Sequence, residues 1–82
     1  MKQDFVINVE NWRMGDYADF FEAASESKFN RMFELVAKVV SAWPHEGSPS
    51  EVESYRNLSV QAWRDTVAAV TGAINANFQQ GN

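Results

Sequence analysis

The sequence predicts an all-α fold, a small bundle of three to four helices with an N-terminal extended arm or lone strand. Three observations carry this. The last twenty residues before the C-terminal tail repeat apolar side chains at about 100° per residue, the period of a helix. Two further apolar stretches show the same period and are separated by proline, glycine and serine punctuation. Only one short stretch, Phe5-Val6-Ile7-Asn8-Val9-Glu10, alternates as a strand does, and no partner strand is evident.

Taken in order, the alternating stretch places Phe5, Ile7 and Val9 on one side. Because a lone strand must find its backbone hydrogen bonds elsewhere, it is expected either to lie on the helices as an arm or to be completed by another chain. Residues 1–15 make up this arm and 16–80 the bundle, within a single domain spanning 1–82. Asp16 is the expected N-cap of a short first helix burying Tyr17, Phe20, Phe21 and Ala24. Ser25 or Ser27 restarts the chain into a second helix, with Phe29, Met32, Phe33, Val36, Val40 and Trp43 on its apolar face. Pro44 ends it, since the residue before proline is pushed out of helical geometry.

His45-Glu46-Gly47 forms the next loop. Ser48-Pro49-Ser50-Glu51 combines an N-cap serine, a proline at the first helical position and a glutamate three residues after the cap, predicting a short third helix from Pro49 to about Asn57. Val52, Tyr55 and then Leu58 are its buried residues. Ser59 caps the final helix, with Leu58 and Trp63 at the two positions of a hydrophobic staple. That helix shows one large apolar face (Val60, Trp63, Val67, Val70, Ile74, Phe78), a second face of small residues (Ala62, Thr66, Ala69, Ala73, Ala76) and a polar third face.

Composition narrows the function. With 82 residues, 45% of them hydrophobic and 13% aromatic, the chain has an ordinary globular balance but a small core, so its stability belongs at the modest end of about 5–15 kcal/mol. It has no cysteine, which excludes disulfides and thiolate metal sites. Phe5-Val6-Ile7 is too short for a signal-peptide core and no stretch matches a membrane span, giving a cytoplasmic expectation without membrane contact. A formal charge of −4, from eleven acidic against seven basic residues, repels phosphate backbones and argues against nucleic acid.

Candidate chemistry is sparse. His45 is the single histidine and reads as an exposed loop residue, with no nucleophile or orienting partner in view. Ser48 and Ser50 are accounted for as capping residues. His45, Glu46 and Glu51 lack the spacing of a metal site, and Glu51 and Glu53 point to different sides of a short helix. No phosphate-cradling glycine loop occurs. Trp43 and Trp63 fall on apolar faces and read as core, while Trp12 is the least constrained tryptophan. The expectation is therefore a protein without enzymatic activity, cofactor or metal.

The helix before Trp43-Pro44, the loop with Gly47, the run Ser48-Pro49-Ser50-Glu51-Val52-Glu53-Ser54-Tyr55-Arg56-Asn57-Leu58, and a last helix opening on Ser59 with Trp63 together resemble the small tail assembly chaperones and tail accessory proteins of tailed bacteriophages and prophages. The resemblance spans roughly Asp16 to Phe78. It implies shielding of apolar segments of a tape-measure protein and recruitment of tail-tube subunits, with no catalytic residue. The chain departs from family pairs made by frameshifting, whose longer form adds a domain. The alternative is a small phage or bacterial inhibitor that binds a host protein through an acidic helical surface. In either case the expected contact residues are Phe5, Ile7, Val9 and Trp12 on the arm and Ala62, Ala69, Ala73, Ala76 and Phe78 on the last helix, open to another protein or to a second copy of the chain unless a helix of the same chain covers them.

Overall fold

The computed structural model describes residues 4–80, with side chains through Asn77. The elements are β1 (Val6–Ile7), a single 3₁₀ turn (Val9–Asn11), α1 (Met14–Ser25), α2 (Phe29–Ala37), β2 (Val40–Ala42), α3 (Val52–Arg56) and α4 (Val60–Gln80). The fold is mostly helical, with four α-helices and one small two-stranded sheet among the described residues.

The strand at the N-terminus is not alone, which corrects the expectation of an unpartnered arm. β1 pairs antiparallel with β2 of the same chain, Val6 opposite Ala42 and Ile7 opposite Val40, with an irregularity that leaves Ser41 as the extra residue. The second helix accordingly ends at Ala37, well before Pro44. Val39 and Val40 are β-branched and pack well on a pleated surface, and both are buried. Donors from the N-terminal segment answer carbonyls at and just beyond the end of α2. Asn8 N–H donates to Val39 O (2.7 Å), Asn11 Nδ2 to Lys38 O (3.2 Å) and Trp12 Nε1 to Leu35 O (2.8 Å). The Asn8 side chain also meets the Ser41 hydroxyl. The N-terminal segment is thus part of the core, not an appendage.

α1 begins three residues earlier than expected, with Arg13 and not Asp16 at its N-cap. Asp16 sits in its first turn, not at its cap, and accepts the Arg13 N–H at 3.0 Å, a bond that holds its carboxyl below the ordinary carboxylate range. The buried face is Tyr17, Phe20 and Ala23; Phe21, expected inside, is half exposed, and Ala24 is exposed. The helix ends in a Schellman arrangement, Lys28 N donating to Ala23 O (2.9 Å) and Ser27 N to Ala24 O (3.3 Å). Ser27 takes the left-handed position (φ 58°) that glycine usually fills. Arg31 joins α2 to α1 through Asp19 (2.8 Å) and Lys38 through Asp16 (3.4 Å).

The connection to α3 is a hydrogen-bonded loop. Trp43 Nε1 donates to Gly47 O (3.0 Å), Ser48 N to Ser54 Oγ (3.1 Å), and the Tyr55 hydroxyl to Pro49 O (2.6 Å). Gly47 has φ +87°, and a Cβ there would meet Ser54 Oγ at 2.7 Å. Ser48-Pro49-Ser50 forms a turn before α3, with the two serine hydroxyls 2.9 Å apart. The third helix therefore starts at Val52, three residues later than the capping pattern predicts.

Ser59 does cap α4, its Oγ accepting the Ala62 N–H at 3.1 Å. The most buried line of α4 is Thr66, Val70 and Ile74, at i, i+4 and i+8. This line runs along the seam between the two faces distinguished in the sequence. Trp63 and Val67 on one flank and Ala62, Ala69 and Ala73 on the other are half-buried, and β1 and the 3₁₀ turn pack against the helix.

Candidate functional site

The residues singled out as contacts do not form a common surface. Val9 and Trp12 are core residues, 6% and 5% exposed, so the structure removes them from any contact surface. The indole of Trp12 lies edge-on to Tyr17 and against Phe20, with ring centroids 5.3 and 5.2 Å away. Phe5 and Ile7 are half-buried and pack against the core. Ala62, Ala69 and Ala73 are half-buried within the chain, and Ala76 is exposed. The Phe78 side chain lies outside the described residues.

His45 is not the exposed loop residue expected. It is half-buried, edge-on to Phe5 (5.6 Å) and Trp43 (5.2 Å), with Nε2 3.3 Å from Thr66 Oγ1. Thr66 gives its own proton to Ala62 O (2.8 Å). The imidazole must then donate from Nε2 to the hydroxyl oxygen, which fixes the tautomer of the neutral ring. Its role is to join β1, the loop and α4. No group of three or more metal-ligating side chains occurs among the described residues.

An apolar groove lies elsewhere, where α2, α3 and α4 meet. It has a volume of about 430 Å³ and is lined by Phe29, Phe33, Tyr55, Leu58, Val60 and Trp63, with Arg56 and Arg64 among its polar residues. Each lining residue has a local cause. Ser59 must cap α4, which forces a tight turn after α3 and sets Leu58 and Val60 on either side of it. Tyr55 is buried by the loop that holds its hydroxyl and forms the floor; burial pushes its phenol well above the ordinary value. Phe33 stacks near Tyr55 at 6.0 Å and meets Trp63 edge-on at 5.0 Å. Above this aromatic floor Phe29 is 50% and Val60 69% exposed.

The charge bordering the groove comes from arginines. Lys28, Arg31 and Lys38 are tied to carboxylates. Arg56 is held by a neutral partner, Asn30 Oδ1 at 2.7 Å, and among the described residues neither Arg56 nor Arg64 takes part in a salt bridge. No acidic residue lines the groove. Chemically this site offers neither nucleophile nor acid–base pair. It offers apolar area and two guanidinium groups.

Sequence reasoning missed this site because Phe29 and Val60 were assigned to buried helix faces. The available signal was their position: each is an apolar residue at the first turn of a helix, where little of the chain remains to cover it. No helix among the described residues is long and apolar enough to cross a membrane. Comparison with protein-family models, curated proteins and solved structures finds no match to this chain.

Proposed function

We propose that the protein is a noncatalytic interaction domain that holds an apolar segment of another protein in the groove between α2, α3 and α4, and that its role is that of a phage tail assembly chaperone. The observation that carries the interaction reading is the exposure of Phe29 and Val60 over an aromatic floor. Large apolar side chains gathered in one concavity are costly to leave in water and favour a covering partner. The chaperone role adds the resemblance, over roughly Asp16 to Phe78, to tail assembly proteins. The inhibitor reading ranks below it, because the exposed apolar groove is bordered by Arg56 and Arg64 and not by carboxylates, and Asp16, Asp19, Glu26 and Glu34 are engaged with the chain's own cations.

Co-expression with the tape-measure and tail-tube proteins of the same genome tests the proposal. The soluble yield of a tape-measure segment is expected to rise with the parent protein, and the gain to disappear with Phe29→Asp combined with Val60→Asp. Equal yields with and without the parent protein would contradict the chaperone role.

A further inference from the structure

We infer that the groove is also the docking site for α1 of a second copy of this chain, so that self-association covers it when no other partner is bound. The inference rests on the groove being a contact surface, as proposed above. The occupant is on the outer side of α1. Met14, Ala18 and Phe21 stand at i, i+4 and i+7, which puts them on one helical face. All three are exposed, Met14 by 69% and Phe21 by 51%. Glu22, exposed and in no salt bridge among the described residues, borders this stripe.

The two surfaces complement each other. One is a convex apolar helix edge bordered by a carboxylate; the other is a concave apolar groove bordered by Arg56 and Arg64, which are in no salt bridge among the described residues. Docking α1 into the groove covers Met14, Phe21, Phe29 and Val60, four of the five large apolar side chains that the described chain leaves exposed. It also brings Glu22 toward the arginines, where the overall negative charge of two copies would otherwise oppose association. Groove against groove would face four guanidinium groups with one another. The contact joins two different surfaces, so it is heterologous, with each copy able to give one helix and accept one.

Complementation separates this arrangement from every symmetric face-to-face pairing. In light scattering up to about 1 mM protein, the parent is expected to exceed monomer mass in a concentration-dependent way. Phe21→Glu spoils the stripe and leaves the groove; Val60→Asp spoils the groove and leaves the stripe. Each alone is expected to be a monomer with the parental melting temperature, and an equimolar mixture to regain a one-to-one pair through the intact stripe of one and the intact groove of the other. Should either variant melt early, Met14→Glu and Phe29→Asp replace them in the same design. A parent that stays monomeric throughout the range overturns the inference, and so does a mixture that stays monomeric. If Val60→Asp still abolishes capture of a tape-measure segment in that case, the proposed function stands without it.

Discussion

Tyr55, His45, Ser27 and Gly47 show how single side chains set local geometry here. Tyr55 is neutral in the fold, and its raised pKa has a definite sign: its contribution to stability is fully present below the ordinary phenol value of 10.0 and is lost as pH rises through that value toward the folded one. Alkaline denaturation monitored by circular dichroism should therefore begin near pH 10 and become less steep, by about one proton, in Tyr55→Phe. An unchanged slope would show that the phenol ionises as freely in the fold as outside it. Ser27→Gly should stabilise the chain by about 0.5–1 kcal/mol, since the left-handed backbone of a Schellman end suits glycine. Gly47→Ala should cost about 1–3 kcal/mol, because it adds strain at φ +87° and a Cβ against Ser54. Urea unfolding measures both, and a Gly47→Ala variant as stable as the parent would refute the reading of the loop. Tyr17, Phe20, Trp43 and Tyr55 were readable from the sequence as core and Trp12 was not, and the partners of none of them were. Nothing in the string of residues says that His45 meets Phe5 and Thr66, forty and twenty-one positions away.

At the scale of elements, local signals worked where one residue decides the outcome. Ser59 caps α4 as its position predicts, and Ser59→Ala should cost about 1 kcal/mol in a thermal or urea melt. Periodicity failed where tertiary pairing competed with it. Val36, Val40 and Trp43 have helical spacing, yet residues 40–42 pair with β1 because the N-terminal segment supplies the donors and the valines accept an extended path. α4 illustrates a subtler limit. Its apolar and alanine faces were both visible, but the buried line of Thr66, Val70 and Ile74 runs between them, since the helix packs on a sheet corner and a loop at once and not on one flat neighbour. Thr66, counted in the sequence with the small residues of the second face, is wholly buried because its hydroxyl is satisfied by Ala62 O and His45.

For the whole molecule, the mostly helical class and the Ser59 cap of the last helix were legible in the sequence, whereas the contact surface was not. The expected surface was the arm and the alanine flank of α4, and the chain uses both largely for its own packing. What it leaves open is the groove, assembled from three helices whose relative placement no local pattern encodes. The central claim is that this groove is the contact surface, and the tryptophans allow a direct test. Trp12 and Trp43 donate their indole N–H groups to Leu35 O and Gly47 O inside the fold, while Trp63 lines the groove. The indole N–H resonances of ¹⁵N-labelled protein, followed during titration with an unlabelled apolar segment of the proposed partner, a phage tape-measure protein, report the three positions separately. The account predicts that the Trp63 signal moves and that those of Trp12 and Trp43 hold their positions; a stationary Trp63 signal while the segment binds would contradict it.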